Sequence, residues 1–229
     1  MGGKNANGQM LSIGNYYLSL DGKPFFGICG EAHFSRINRE LWEDEIIKMK
    51  AGGLNMIATY IFWIHHEEIE GTFDFSGNKD LRLFLELCKK NHMYVILRIG
   101  PFSHGECRNG GFPDWIYGQP FDIRCDDPSY LYYTRRFYEQ IYQQAKGLLF
   151  KDNGPVIGVQ LENEHEHASC PWEMTTENSK EWVVSGHDGK NHMSTLKKIA
   201  KEVGFDVPLY TATAWGGACA PEDLSLIHI

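Results

Sequence analysis

The sequence predicts an α/β fold, specifically a (β/α)₈ barrel. Short apolar runs typical of buried parallel strands alternate with longer amphipathic segments typical of helices. No glycine-rich phosphate loop follows any of these runs, so the sequence lacks the fingerprint of a dinucleotide-binding sheet. Polar and acidic residues also follow several of the runs, as in barrel enzymes, whose chemistry lies at the strand ends. The strand count by itself would equally fit an open, doubly wound sheet.

Residues 10–29 predict an N-terminal β-hairpin that leads into the first barrel strand. Two strand-like runs, 16–20 and 25–29, flank the segment Asp21-Gly22-Lys23-Pro24. An Asp-Gly pair between two such runs is a strong hairpin signal.

The remaining elements follow in alternation. Five strands are predicted to begin near Pro24, Leu54, Met93, Pro155 and Val207. Amphipathic periodicity predicts helices over residues 39–51, 78–91, 128–149 and 191–203. The segment 102–128 is a long connection between a strand and a helix, which is typical of an active-site loop. A complete barrel takes about 250 residues, so we expect residues 1–229 to be one incomplete barrel, truncated after about five strands. Residues 225–229 are expected to be a non-native tail.

Composition and charge exclude several classes of partner. The 229 residues carry 22 Lys and Arg against 30 Asp and Glu, a formal net charge of −8. No basic cluster of the kind that binds nucleic acid is present, and an acidic surface repels anionic membranes. The six cysteines include no CxxC pair, and the sequence starts without the apolar region of a signal peptide. We therefore expect a cytoplasmic protein with a neutral ligand, such as a sugar, or a periplasmic or secreted one if the N-terminus is incomplete.

The strongest candidate for catalysis is Glu164. The apolar run 155–159 ends in Gln160-Leu161-Glu162-Asn163-Glu164, so Asn163 and Glu164 fall where a buried strand leaves the core. A carboxyl group at a barrel mouth can act as an acid/base residue, and the adjacent amide can bind a sugar hydroxyl. The alternative is a helix-capping or surface carboxylate.

Two further candidates are Glu106, which follows the third strand, and Tyr60, near the end of the second. Glu106 could accept hydrogen bonds from sugar hydroxyls, or could be a loop carboxylate paired with Arg98 or Arg108. Tyr60 offers a hydroxyl and an apolar face, but a core tyrosine is equally common.

Other residues could line the same mouth. They are Glu31, His33 and Arg36 after the first strand, and the aromatic residues Trp63, Trp115 and Trp215. For the first group the alternative is a surface turn, and for the tryptophans it is packing.

A rival hypothesis is a divalent cation site. Glu164-His165-Glu166-His167 alternates two carboxylates with two histidines, and His65-His66-Glu67 could add ligands. The helical HExxH pattern is absent from the sequence, which argues against metal catalysis.

A series of short blocks resembles glycoside hydrolase family 35, the β-galactosidases. The resemblance extends from about Gly14 to Leu224, and the order of the blocks makes it specific. The blocks are Gly30-Glu31-Ala32-His33-Phe34-Ser35-Arg36, Leu41-Trp42-Glu43-Asp44, Lys48-Met49-Lys50-Ala51-Gly52-Gly53-Leu54-Asn55, Thr59-Tyr60-Ile61-Phe62-Trp63, His66-Glu67, Gly71-Thr72-Phe73-Asp74-Phe75-Ser76-Gly77, Arg98-Ile99-Gly100-Pro101-Phe102, Glu106, Gly110-Gly111-Phe112-Pro113-Asp114-Trp115 and Gly154-Pro155-Val156-Ile157 with Gln160-Leu161-Glu162-Asn163-Glu164.

The resemblance implies a (β/α)₈ barrel that removes terminal β-galactosyl residues from oligo- or polysaccharides by a retaining double displacement, without a cofactor. It implies that Glu164 is the acid/base, that Asn163 binds the 2-hydroxyl, and that Tyr60 and Glu106 contact galactose. The family nucleophile, a Glu after the seventh strand, would lie beyond residue 229, so we expect this chain alone to be inactive.

Two departures from the family pattern concern loops that face the sugar. The family often reads Trp-Asn-x-His-Glu-Pro where this chain has Trp63-Ile64-His65-His66-Glu67-Glu68, and Cys-Ala-Glu where it has His104-Gly105-Glu106. Another retaining β-glycosidase on the same barrel therefore remains an alternative, as does a non-catalytic sugar-binding module.

Overall fold

The computed structural model describes residues 2–14, 17–165, 189–213 and 225–228, which contain two sheets. The first is antiparallel, with strand order β1-β2-β3-β4. Its strands are β1 Gly2–Lys4, β2 Met10–Ile13, β3 Leu18–Leu20 and β4 Lys23–Phe25. The predicted hairpin is confirmed as β3 and β4. Asp21 and Gly22 at its turn have φ angles of 52° and 73°, as a type I′ turn requires.

The first strand of the barrel starts later than the sequence predicts. Pro24 belongs to β4 of the small sheet, and the barrel strand β5 spans Cys29–Glu31. Between the two strands, the backbone of Ile28 bonds to the side chain and the backbone of Asn55 instead of continuing a ladder. The run 25–29 therefore divides between two sheets, which periodicity alone does not reveal.

The second sheet is parallel and has six strands. They are β5, β6 Met56–Tyr60, β7 Tyr94–Arg98, β8 Val156–Gln160, β9 Leu209–Thr213 and β10 Ser225–His228. Each strand pairs with the next one along the chain. A doubly wound sheet reverses its strand order at a switch point, whereas a barrel adds strands in one direction. The order is therefore that of part of a (β/α) barrel. The sixth strand, β10, lies in residues predicted to be a non-native tail; its pairing does not test their origin, so that assignment stays a prediction.

Within the described parts of the chain, five α-helices accompany these strands. They are α1 Trp42–Ala51, α2 Trp63–His66, α3 Leu81–Lys90, α4 Pro128–Ala145 and α5 Gly189–Val203. The four long ones were predicted, with different ends. Helix α3 starts at Leu81 because the Asp80 carboxylate caps it, accepting from the backbone N–H of Leu83 (2.9 Å). Helix α4 ends before Gly147, whose φ of 79° is left-handed.

The main core lies between the parallel sheet and these helices. All five residues of β8 are buried, and consecutive long helices pack against one another. A strand buried on both faces explains why its sequence reads as an unbroken apolar run. No helix within the described part of the chain is long and apolar enough to cross a membrane.

Candidate active site

The carboxyl ends of neighbouring strands bring the predicted residues together. Tyr60 is the last residue of β6 and pairs in register with Arg98, the last residue of β7; Arg98 in turn pairs with Gln160 at the end of β8. Asn163 follows three residues later. Tyr60 and Asn163 therefore lie at the same edge of the sheet, as expected for parallel strands.

Arg98 is the central residue of this edge, although the sequence identified it only as a possible partner of Glu106. The residue is 8% exposed, and its guanidinium contacts the Glu31 carboxylate and the hydroxyl of Tyr60. It also donates to the amide oxygen of Asn163 at 2.9 Å. The guanidinium carbon lies 3.6 Å from the centre of the Tyr60 ring, in cation–π contact. One buried cation thus connects three side chains.

These contacts determine how Asn163 is oriented. Its Oδ1 accepts from both Arg98 and the Gln160 amide, the latter at 3.1 Å. Because two donors converge on the oxygen, the amide nitrogen is the end that can donate to a ligand. Burial raises the pKa of Tyr60 well above its usual range, although nearby Arg98 opposes the shift. Tyr60 therefore stays a neutral phenol.

Glu164 occupies a constrained backbone position just past β8. Its N–H donates to the carbonyl of Ala212 (3.0 Å), and its φ is 49°. Glu162 has a φ of 56°, so left-handed residues stand on both sides of Asn163. Such conformations are costly for residues other than glycine and cluster at functional sites. The Glu164 side chain is 26% exposed, and its Oε2 lies 3.4 Å from Nδ1 of His104.

Glu162, two residues before Glu164, is held by a buried ion pair. Nε and Nη2 of Arg124 donate to its two carboxylate oxygens at 2.8 and 2.7 Å. Both side chains are inaccessible to solvent. Arg124 Nη2 also donates to the carbonyls of Asn163 (3.1 Å) and Glu164 (3.3 Å). The pair therefore fixes the backbone that carries both predicted residues. A carboxylate directly after a buried strand signals the need for a cation, but no sequence signal identifies Arg124.

Glu31 and His33 lie at the same mouth and not on a separate surface turn. Glu31 contacts Arg98, and Nδ1 of His33 accepts the backbone N–H of Tyr60 at 3.4 Å. Burial lowers the pKa of His33, which favours the neutral ring.

Glu106 is exposed, on the loop after β7. Its carbonyl accepts from Nη2 of Arg36 at 3.3 Å, which connects this loop to the segment after β5. The two arginines predicted as possible partners of Glu106 contact other carboxylates: Arg98 contacts Glu31, and Arg108 contacts Asp114. A role for Glu106 in binding sugar stays a prediction.

Of the three tryptophans proposed for the mouth, two lie in the described residues, and both serve packing. Trp63 is fully buried, stacks on Phe137 with ring centres 4.7 Å apart, and donates to Glu67 at 2.7 Å. Trp115 donates to the carbonyl of Glu67 at 2.8 Å. Trp215 lies outside the described residues.

The residues of the rival cation site have other partners. His65 bonds to Ser35, His66 to the carbonyl of Asp74, and Glu67 to Arg136. His165 donates to the carbonyl of Arg124, while residues 166 and 167 are not among those described. Within the described ranges, no group of three or more potential ligands is placed to hold a metal ion.

Comparisons with known proteins show the family of the chain. Residues 17–216 match the model of the family described as glycosyl hydrolases family 35. A β-galactosidase of Xanthomonas manihotis is 37% identical over 169 residues, which are 73% of this chain and 28% of that protein. A human β-galactosidase is 39% identical over 165 residues, 71% of this chain and 24% of that protein. The chain thus spans about a quarter of the length of these relatives.

Solved structures show the same fold at low sequence identity. An exo-β-1,4-mannosidase from an Opitutaceae bacterium superposes with a TM-score of 0.59 and 13% identity, covering 93% of this chain and 33% of that one. A GH5_18 protein from Streptomyces cattleya gives a TM-score of 0.59 and 8% identity, covering 82% and 44%. At this identity the likeness concerns the fold alone.

Proposed function

The chain belongs to glycosyl hydrolase family 35, and we propose that it supplies the acid/base half of a retaining β-galactosidase. Glu164 is the acid/base, while Asn163, Tyr60 and Glu106 bind the sugar. The substrate is a terminal β-galactosyl residue of an oligo- or polysaccharide. The observation that carries the proposal is the placement of Glu164 at the end of β8 beside Asn163, whose amide oxygen is held by Arg98.

In the first step Glu164 donates a proton to the glycosidic oxygen, while a second carboxylate attacks the anomeric carbon. In the second step Glu164 removes a proton from water, which hydrolyses the covalent glycosyl-enzyme. The second carboxylate comes from a later strand of a longer protein, as the greater length of the relatives suggests.

The charge balance at the mouth supports a neutral substrate. Arg98 contacts Glu31, and Arg124 forms a buried pair with Glu162. Buried charges that are paired leave little net charge to attract an ionic ligand. The neutral phenol of Tyr60 and the amide nitrogen of Asn163 are hydrogen-bond donors suited to sugar hydroxyls.

The 229-residue chain alone is expected to have little or no hydrolase activity, because the covalent step needs a second carboxylate. Incubation with a nitrophenyl β-galactoside tests this expectation. Ordinary turnover by this exact chain would contradict it.

The role of Glu164 is tested by Glu164→Gln in the longer protein. A phenyl galactoside, which needs acid assistance, should lose most of its turnover. A dinitrophenyl galactoside, whose leaving group needs no proton, should still form the glycosyl-enzyme in a burst. Glu139→Gln, at an exposed position of α4, is the matched control and should change neither. Normal kinetics of Glu164→Gln on both substrates would refute the assignment.

A second candidate, a retaining enzyme for a different β-glycoside, is favoured by His104-Gly105 where the family often has Cys-Ala. A panel of β-galactoside, β-glucoside and β-mannoside separates the two. A higher kcat/KM for the glucoside or mannoside would replace galactose as the proposed sugar.

A further inference from the structure

His104 lies beside the proposed acid/base residue, although it belongs to a different loop. Its Nδ1 is 3.4 Å from Oε2 of Glu164, and the two side chains are 43% and 26% exposed. His104 follows β7, whereas Glu164 follows β8. Because both side chains remain partly accessible, the contact lies where a substrate could reach it.

The backbone holds His104 in a specific and costly conformation. Its φ of 64° is left-handed, which a residue other than glycine adopts only when its surroundings impose it. Its N–H donates to the carbonyl of Gly110 (3.1 Å), and its own carbonyl accepts from Cys107 (2.9 Å). A tight turn therefore fixes the start of the side chain.

Phe102 and Arg124 connect the ring of His104 to the backbone of Glu164. The imidazole packs on Phe102, with ring centres 5.5 Å apart. The guanidinium carbon of Arg124 lies 3.7 Å from the centre of the same Phe102 ring. Arg124 also donates to the carbonyl of Glu164 at 3.3 Å. Contacts to the His104 ring and to the Glu164 backbone thus hold the two residues close to each other.

We propose that His104 is a positioning residue for Glu164, a role that rests on the proposed function. Nδ1–H of His104 donates to Oε2 of the carboxyl group. When Glu164 is protonated, its proton then resides on Oε1, the oxygen not engaged by the imidazole, and is delivered from there to the leaving group. Since the family often has Cys at this position, and a thiol is only a weak donor, this contact departs from the usual family pattern.

The test compares three variants of the longer protein. His104→Ala removes the donor. His104→Asn keeps one, because the amide nitrogen of Asn is as many bonds from the backbone as Nδ1 of His. His92→Ala is the matched control, since His92 is exposed, is also left-handed (φ 56°) and precedes β7, at the opposite end of the barrel.

His104→Ala should lower kcat/KM for phenyl galactoside about ten-fold, part of the roughly 100- to 10,000-fold that a positioned general acid contributes. It should leave glycosylation by dinitrophenyl galactoside unchanged. His104→Asn should recover most of the loss, and His92→Ala should match the parent on both substrates.

If His104→Ala lowers the rates with both substrates equally, His104 only supports the loop. If His104→Ala has parental kinetics, the contact with Glu164 has no effect on catalysis. Either result overturns the proposal. Glu164→Gln, measured beside these variants, separates a failure of the proposed function from a failure of the role of His104. If it shows no dependence on the leaving group, the proposed function fails. If it shows the dependence and His104→Ala does not, only the role of His104 fails.

Discussion

Nη2 of Arg98 donates a hydrogen bond of 2.9 Å to Oδ1 of Asn163, so a residue of β7 sets the orientation of a side chain that follows β8. The same guanidinium contacts Tyr60 and Glu31. The face that we propose binds sugar is therefore organised around a cation that need not touch the sugar.

Arg98→Lys should weaken the site without removing its charge. A lysine ammonium lacks the planar fork that reaches three acceptors at once, so the amide of Asn163 loses a partner. In the longer protein kcat/KM should fall by about one to two orders of magnitude, since a hydrogen bond to a charged group is worth about 1.5–3 kcal/mol. Arg135→Lys, in an exposed pair with Glu202, is the control. Parent-like kinetics for Arg98→Lys would refute a role for this network.

Glu162→Gln should destabilise the fold strongly, because it leaves the Arg124 cation buried without its counter-charge. Breaking a buried pair in this way costs about 3–5 kcal/mol. The free energy of unfolding in urea measures the loss on the 229-residue chain. Glu202→Gln, which breaks an exposed pair with Arg135, should hardly change the urea midpoint of unfolding. Similar midpoints for the two variants would show that the buried pair is not a stabilising feature.

Buried His66 should make stability depend on pH. Burial lowers its pKa to about 4 from 6.5, so the unfolded chain binds the proton at a higher pH than the folded chain. The contribution of His66 is complete above pH 6.5 and falls as the pH drops toward about 4, by about 3 kcal/mol in total. The free energy of unfolding in urea should therefore differ less between about pH 7 and about pH 4 in His66→Gln than in the parent. The exposed His92→Gln should keep the parental difference, and an unchanged difference in His66→Gln would contradict the prediction.

Gly110 should not tolerate a side chain. A Cβ there would lie 1.8 Å from Cε2 of Phe102, and the φ of 62° is itself unfavourable for alanine. Gly110→Ala should cost about 1–3 kcal/mol, the usual range for overpacking, and should displace the ring that supports Arg124. Gly118→Ala, where a Cβ meets nothing within 4 Å, provides the comparison. Equal thermal midpoints for the two variants would show that the loop can rearrange around Phe102.

Local patterns predicted most of the elements correctly and most of their ends incorrectly. Strand β8 was recognisable because every residue of it is buried. The first barrel strand was placed too early, near Pro24, because two short strands separated by Gly27 read as one run. A Cβ at Gly27 would lie 2.5 Å from Sδ of Met56, a tertiary approach that no local pattern records.

By itself, the sequence determined the alternation of strands and helices, the membership of the family and the location of Asn163-Glu164 at the end of a buried strand. These depend on periodicity and motif order, which are properties of neighbouring residues. Only the tertiary structure decided which side chains meet: Arg98 and Asn163 are 65 positions apart, and Arg124 and Glu162 are 38 apart. Parallel strands joined by helical crossovers bring such distant residues to one edge of the sheet. There, desolvation and hydrogen-bond geometry, and not sequence spacing, select the partners.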